Sequence, residues 1–194
     1  MATQPHPYVT PEQYLEYDRN SEVSNEYIFG EIVPMEAITE SHSLIAANVI
    51  HGLKSRISGG SCRVYASGPR TCLDPKKVYA YPDVTVVCGQ REYHDNKRDT
   101  VVNPKIAVEV LSPSTSNYDL GAKARLYWTV PSMTDLIFVE QEKVWIEYWF
   151  RVPGGKWDKA ILESLSDNLK IDSINCEIPV SDIYDGVELP PADQ

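Results

Sequence analysis

Apolar and polar residues follow two spacings along this chain, one helical and one extended. The helical spacing is clearest over residues 40–58, which are predicted to form one long helix. A shorter helix is predicted over residues 10–20, where Thr10 is a candidate N-cap followed directly by Pro11. A third helix is predicted over residues 118–129, because the chain reaches a proline soon afterwards.

Shorter apolar runs between turn-forming residues are typical of β-strands. A hairpin is predicted over residues 26–36, with its turn at Gly30 and Glu31. A polar loop without periodicity is expected over residues 89–103, and a helical turn over 179–184. Further strands are predicted over residues 61–67, 69–74, 83–88, 104–111, 134–140, 143–151, 156–164 and 174–178.

The order of these elements predicts an α/β (α+β) fold in which helices flank a central mixed β-sheet, with additional β-hairpins. Strands 104–111 and 134–140 are almost continuously apolar, which favours burial on both faces. The length of 194 residues is typical of one domain. We divide it into a helix and hairpin (10–36), a core (37–140) and a hairpin extension (141–194).

The chain carries a net charge of −10, which counts against extensive nucleic-acid contacts because those depend on Lys and Arg at phosphates. DNA binding would therefore need a local basic patch or a dimer. The N-terminal residues lack the basic start and apolar segment of a secretory signal, and no apolar run reaches the ~18 residues of a membrane span. We expect a cytoplasmic protein with no membrane association.

The four cysteines have neither the spacing of a zinc site nor that of a redox motif. In a cytoplasmic protein they are expected to be buried, reduced thiols. Cys62 and Cys72 are the pair that could face each other across a hairpin, although the compartment disfavours a bond.

Two isolated carboxylates carry the main functional signal. Asp83 follows a proline at the start of a predicted strand, and Glu109 interrupts the apolar run IAVEVL. A buried carboxylate without a partner costs several kcal/mol, and two of them on neighbouring strands suggest a shared hard cation such as Mg²⁺. Asp119, Lys123 and Tyr127 form one stripe on the following helix, which could bring a lysine to the acids. The pattern indicates a metal-dependent hydrolase.

Other interpretations of the same residues remain open. Asp83 could serve a turn, Glu109 a structural ion pair, and Lys123 an ordinary surface pair with Asp119. A glycoside-hydrolase acid pair is disfavoured, because no aromatic residues cluster near either acid apart from Tyr81.

The segments YPD, AVEVLSPST and YDLGAKARLY resemble the signature of a restriction-endonuclease family that is abundant in cyanobacteria and belongs to the PD-(D/E)xK nuclease superfamily. The segment EYIFGEIVPM followed by His42 also resembles that family, and the similarity covers roughly residues 10–150. The resemblance implies a restriction-endonuclease-like fold and Mg²⁺-dependent cleavage of DNA, with Mn²⁺ as a substitute ion. It also implies a homodimer.

The resemblance assigns roles to individual positions. Asp83 matches the acid of the PD element and Glu109 the second acid, so both would be metal ligands, with the Val110 carbonyl as a third. Glu26 matches an acidic position before the hairpin glycine and would complete the site. His42 matches the family's histidine, whose role stays open beside that of a core or helix-capping residue.

One position departs from the superfamily motif. Lysine is expected two residues after the second acid, where this chain has Leu111. The resembling family places its lysine on the following helix, and Lys123 fits that position. If Lys123 does not reach the carboxylates, the alternative is a catalytically degenerate module that binds DNA or protein in a regulatory role.

Overall fold

The computed structural model of this protein describes residues 8–57, 60–112 and 119–190. Helices α1 and α2 span Pro11–Asn20 and Glu40–Arg56. A π-helical segment, Asp119–Lys123, continues directly into α3, Ala124–Thr129. A short 3-10 turn, Asp172–Ile174, and helix α4, Val180–Ile183, lie near the C-terminus.

In the part of the chain that the structure describes, thirteen strands form three sheets. They are β1 Asn25–Ile28, β2 Glu31–Pro34, β3 Cys62–Ala66, β4 Arg70–Asp74, β5 Val78–Ala80, β6 Val84–Cys88, β7 Thr100–Val101, β8 Ile106–Leu111, β9 Asp135–Glu140, β10 Ile146–Arg151, β11 Trp157–Leu162, β12 Asn168–Ile171 and β13 Cys176–Pro179.

The largest sheet is mixed and has six strands in the order β11-β10-β9-β8-β6-β3. Its β8 and β9 run parallel, whereas its other neighbouring strands are antiparallel. A second sheet of five strands has the order β2-β1-β5-β4-β7, and β12 pairs with β13 in a third. The predicted mixed sheet with flanking helices and additional hairpins is confirmed.

Strand β8 lies in the centre of the core, because every one of its residues is buried. On one face Val108 and Val110 pack against the α2 residues Ile45, Val49 and Leu53. On the other face Ala107 and Leu111 lie in a cluster with Ala124 and Tyr127 of α3. Helices therefore cover both faces of β8, as its continuous apolar sequence predicted.

Local sequence signals explain where the first two helices begin. The Thr10 side chain accepts a hydrogen bond from the Gln13 amide, and the Gln13 side chain accepts one from the Thr10 amide, so α1 starts with a capping box. Helix α2 starts at the N-cap Thr39, whose hydroxyl accepts a hydrogen bond from the His42 amide. This cap fixes His42 in the first turn of α2.

The sequence patterns did not predict three short strands. Strands β5, β7 and β12 have three, two and four residues, too few for a clear alternation. The prediction of a loop without structure over residues 89–103 was therefore wrong at β7, which pairs with β4 in parallel. The predicted turn cluster after β8 and the glycine at position 59 lie outside the described residues.

The prediction of four reduced cysteines was wrong. Cys62 and Cys88 form a disulfide, whereas Cys72 and Cys176 are free and buried. The reason is strand register: β3 pairs with β6 so that Cys62 lies directly opposite Cys88. Cys72, which could have faced Cys62 across a hairpin, belongs to a different sheet. In the ranges described, no helix has the length and apolar character to cross a lipid bilayer.

Candidate active site

Asp83 and Glu109 lie side by side at the edge of one cleft. Strands β6 and β8 are antiparallel with Val84 opposite Val108, and one further step of that register brings Asp83 next to Glu109. Oδ2 of Asp83 accepts a hydrogen bond of 2.7 Å from the backbone amide of Val110. The expectation that the two carboxylates occupy neighbouring strands is confirmed.

Lys123 forms ion pairs with two of the predicted acidic residues, Glu109 and Glu26. Its Nζ lies 2.9 Å from Oε1 of Glu109 and 3.0 Å from Oε1 of Glu26. A third carboxylate, Asp119, lies 3.6 Å away. Lys123, Glu109 and Asp119 are each at most 6% exposed. Lys123 therefore reaches the acids from the segment that follows β8, whereas Leu111 packs into the core.

Lys123 comes from the π-helical segment, which differs from the regular helix expected there. The predicted stripe is nevertheless formed, since Asp119 and Lys123 pair and Tyr127 lies on the same side. A π-helical turn is frequent at functional sites because it re-aims side chains relative to an α-helix.

Lys123, Glu109, Glu26 and Asp119 form a buried ion cluster. Their charges shift the pKa values of Glu109 and Lys123. Burial raises the pKa of Glu109 to about 8, the Lys123 ammonium opposes that shift, and the neighbouring Asp119, Asp83 and Glu26 reinforce it. For Lys123 burial acts to lower the pKa, but Glu109 and Glu26 outweigh it and hold the pKa well above its ordinary value. Lys123 therefore stays protonated, and the carboxylates around it outnumber its single positive charge.

Two further residues fix the orientation of the carboxylates. The phenol of Tyr127 donates a hydrogen bond of 2.5 Å to Oε1 of Glu109, and burial raises the pKa of Tyr127 well above its ordinary value. Nε2 of His42 lies 2.8 Å from Oδ1 of Asp83. Both oxygens of Asp83 are thus held, one by His42 and the other by the Val110 amide.

A second polar network links Tyr81 to residues beside the cleft. The sequence patterns did not predict it. The Tyr81 amide donates a hydrogen bond of 3.1 Å to Glu26, and the Tyr81 phenol donates one of 2.6 Å to Asp18. Asp18 also lies 3.1 Å from a guanidinium nitrogen of the buried Arg70. Tyr81 directly precedes the Pro-Asp element, which is the one sequence signal that could have identified it.

The cleft has a volume of about 600 Å³. Its lining includes the polar residues described above together with apolar residues of β1, β2 and the segment that leads to α2. A cleft of this size is typical of sites for ligands of nucleotide scale.

The residues present fit a hard divalent cation. Asp83 and Glu109 supply carboxylate oxygens, and the strand register places Val110 beside both. Within the described ranges no three His, Cys, Asp or Glu residues are grouped so that they could hold a metal alone. Mg²⁺ usually keeps several waters and binds through one or two carboxylates together with substrate oxygens.

Comparison with known proteins shows which family this chain belongs to. The sequence model of the Uma2 family, described as "Putative restriction endonuclease", matches residues 11–181. The chain belongs to the Uma2 family. The match extends past the roughly 10–150 of the sequence resemblance and includes every candidate residue of the site.

Uma2-type relatives of similar length occur in Synechocystis sp. (strain ATCC 27184 / PCC 6803 / Kazusa). The uncharacterised protein slr1290 is 32% identical over 184 residues, which cover 94% of this chain and 95% of the relative. The uncharacterised protein sll1609 is 26% identical over 164 residues, which cover 84% and 92%.

A solved structure has the same fold as this Uma2 protein. It is the crystal structure of a putative nuclease belonging to DUF820 from Anabaena variabilis ATCC 29413, with a TM-score of 0.74 and 14% identity. The alignment covers 91% of this chain and 97% of the other. Family and fold together support a nuclease-like function.

Proposed function

We propose that this protein is a Mg²⁺-dependent endodeoxyribonuclease that hydrolyses phosphodiester bonds in DNA. The observation that carries the proposal is the approach of Lys123 to within 2.9 Å of Glu109, with Asp83 directly before the neighbouring strand β6. Two acids and a lysine around one cleft are the groups that metal-dependent phosphodiester hydrolysis requires. The membership of a family described as restriction endonucleases points in the same direction.

Each side chain has a defined task in this proposal. Asp83 and Glu109, with the Val110 carbonyl, would hold the ion, which would supply Lewis-acid polarisation of a phosphate oxygen and a lowered pKa of a bound water. Lys123 supplies a buried positive charge beside the scissile phosphate, where negative charge develops. Glu26 and Asp119 keep the ammonium in place.

His42 and Tyr127 act through the acids. Each holds one carboxylate in a single orientation, so that the ligand oxygens need little rearrangement when the ion binds. Because the pKa of Glu109 is raised to about 8, ion binding should release a proton near neutral pH. Ion affinity should therefore rise with pH up to about that value.

Nicking of supercoiled plasmid in the presence of Mg²⁺ or Mn²⁺ tests the proposal. The wild-type protein should convert supercoiled DNA to open-circular and linear forms, and Glu109→Gln and Lys123→Met should each reduce the rate by about 100-fold or more. Glu163→Gln, an exposed substitution away from the cleft, is the matched control and should nick normally. Equal nicking by wild type and Glu109→Gln would discard the proposal, as would no nicking with either ion.

A second candidate is a catalytically silent module that retains the fold. What favours it is that Lys123 already pairs with Glu109 and Glu26, while no three-residue metal group is formed in the described part of the chain. Such a module need not bind a divalent ion at the carboxylates. Titration calorimetry with Mn²⁺ separates the two candidates, since the nuclease requires binding that depends on Asp83 and Glu109.

A further inference from the structure

All four tryptophans of the chain lie at one face of the six-stranded sheet, beside its edge strands β10 and β11. Trp149 lies opposite Lys159 and Arg151 opposite Trp157, so these four side chains share that face. Trp128 of α3 packs onto it, since its ring centre lies 4.7 Å from that of Trp149 and 6.4 Å from that of Trp157. We call this surface the tryptophan face; its members are Trp128, Trp145, Trp149, Trp157, Lys143 and Lys159.

Two lysines of the tryptophan face lie over indole rings. Nζ of Lys159 is 5.1 Å from the ring centre of Trp149, and Nζ of Lys143 is 5.8 Å from that of Trp145. Both lysines are exposed. The attraction between an ammonium and an indole lays the methylene stem along the ring while the charged head stays in water. The two ammonium groups are therefore held at the surface, where an anion can reach them.

Arg151 has a different task at the same face. Its guanidinium lies 5.0 Å from the ring centre of Trp157 and donates hydrogen bonds to the backbone oxygens of Trp128 and Val130. These bonds fasten the end of α3 to β10. The indoles that support the lysines are thus fixed in position before any partner binds.

The tryptophan face carries a net positive charge, although the chain as a whole has a charge of −10. The acids of β10 and β11 are Glu147 and Asp158. The side chain of Glu147 is only 12% exposed, lies 3.3 Å from Lys159 and accepts a hydrogen bond of 2.6 Å from Nε1 of Trp149. Asp158 lies opposite Phe150 and points to the other side of the sheet. The face therefore suits an anionic partner.

The tryptophan face lies close to the cleft. Glu109 is opposite Phe138 of β9, and Phe138 is opposite Glu147 of β10, so two strand spacings, about 10 Å in all, separate the catalytic acid from the face. The chain also joins the two regions, because α3 begins directly after Lys123 and carries Trp128. A backbone that lies on the face can therefore extend to the cleft.

We infer that the tryptophan face binds the phosphate backbone of duplex DNA and holds it beside the cleft, with Lys143 and Lys159 as phosphate contacts. The inference rests on the proposed function, because it takes the polyanion to be the substrate. Lys123 is the one Lys or Arg among the cleft's described lining residues, so further phosphate contacts have to come from a neighbouring surface. A second copy of the chain fits this face poorly, since a two-fold contact would bring the lysines of one face against those of the other.

Binding can be measured without cleavage and compared across salt concentrations. Fluorescence anisotropy of a labelled duplex of about 20 base pairs, in Ca²⁺ buffer with increasing KCl, gives the affinity of the full chain and its salt slope. Lys143→Gln/Lys159→Gln should weaken binding by about tenfold at about 0.1 M salt and reduce the magnitude of the slope by about 2, one for each lost phosphate contact. Lys143→Arg/Lys159→Arg keeps the charges and should retain both the affinity and the slope.

The matched control is Lys77→Gln/Lys170→Gln. It removes the same charge from two exposed lysines outside the tryptophan face, which lie 4.0 Å from Asp74 and 3.9 Å from Glu177, and it should bind like the wild type. Equal losses in the two Gln double variants would overturn the inference, as would unchanged binding by Lys143→Gln/Lys159→Gln or no binding of the duplex by the wild type.

Light scattering tests for another occupant of the tryptophan face. Ile161 is 40% exposed and lies opposite Glu147, on the same side of the sheet. A wild-type dimer that Ile161→Asp converts to monomer would mean that a second copy covers the face, and would overturn the inference. A wild type that binds the duplex through Lys143 and Lys159 but does not nick plasmid would instead count against the proposed function alone.

Discussion

The ammonium of Lys123 lies 2.9 Å from the carboxylate of Glu109, although one comes from a helix and the other from a buried strand. The superfamily motif places both groups on the same strand, two residues apart. Here the strand position is the buried Leu111, and the helix that follows β8 returns the lysine to the acid. The lysine thus lies beside the acid in space, although its position in the sequence differs from that motif.

Substitution of Lys123 by Met should destabilise the fold as well as abolish activity. It would leave Glu26, Glu109 and Asp119 buried without their cation, and breaking a buried ion pair costs about 3–5 kcal/mol. Urea denaturation measures the loss. Lys159→Met removes a pair in which the lysine is 47% exposed, and should change the free energy of unfolding by less than about 1 kcal/mol.

The double variant Lys123→Met/Glu109→Gln should recover part of the lost stability, because it removes one of the buried acids that lose their cation, and should remain inactive. A Lys123→Met protein as stable as the wild type would contradict the buried ion cluster.

Tyr127→Phe should weaken binding of Mn²⁺ by about 10–100-fold, since the phenol orients Glu109. It should also lower the free energy of unfolding by about 1 kcal/mol through the lost hydrogen bond. The matched control is Tyr148→Phe, which removes a buried hydrogen bond of 2.6 Å to Asp135 outside the cleft. The control should show a similar loss of stability with unchanged Mn²⁺ affinity. If both variants bind Mn²⁺ equally well, Tyr127 has no positioning role.

Stability at acidic pH should depend on Asp99. The hydrogen bonds from Arg19 lower the pKa of Asp99 to about 2 against the opposing effect of burial, with Thr100 and Arg70 contributing. Because this folded-state pKa lies below the unfolded value of about 3.9, the stabilisation is complete above pH ~4 and disappears as the pH falls through ~2.

Asp99→Asn should therefore be less stable than the wild type at pH 7, by about 1–2 kcal/mol after allowance for partial exposure to solvent. The difference should shrink between pH ~4 and ~2. Urea titrations across this range measure it. Asp182→Asn, whose carboxylate is 47% exposed beside Arg56, should show a much smaller difference. A constant difference at all pH values would contradict the linkage.

Reduction should destabilise the protein, because the Cys62–Cys88 disulfide closes a loop with a sequence separation of 26. Closing a loop of that length stabilises the folded state by about 3 kcal/mol, because it restricts the conformations of the unfolded chain. Urea unfolding with and without a phosphine reductant measures the effect, and the Cys62→Ser/Cys88→Ser variant should be insensitive to it. Titration of thiols in denaturant should detect only Cys72 and Cys176; four reactive thiols would contradict the bond.

Much of the fold was predictable because its main elements are long and periodic. Helix α2, strand β8 and the hairpin of β1 and β2 carry clear spacings and appear close to the predicted bounds. The candidate site was predictable for a different reason: charged residues within apolar runs are costly, so Glu109 had to have a partner.

The remaining features depend on contacts between distant segments. The pairing of Cys62 with Cys88 follows from the register of two strands, which residue spacing along the chain does not reveal. The link from Tyr81 to Asp18 joins a loop to α1 and has no local signature. The contact of His42 with Asp83 depends on where α2 begins relative to the sheet, which the sequence does not reveal.

The central claim is that Asp83 and Glu109 hold one divalent ion beside Lys123, and calorimetric titration of Mn²⁺ tests it most directly. The account predicts an ion site in the wild type whose affinity falls by about tenfold or more in Asp83→Asn and in Glu109→Gln, and is unchanged in the exposed control Asp182→Asn. Identical Mn²⁺ titrations of all four proteins would contradict it.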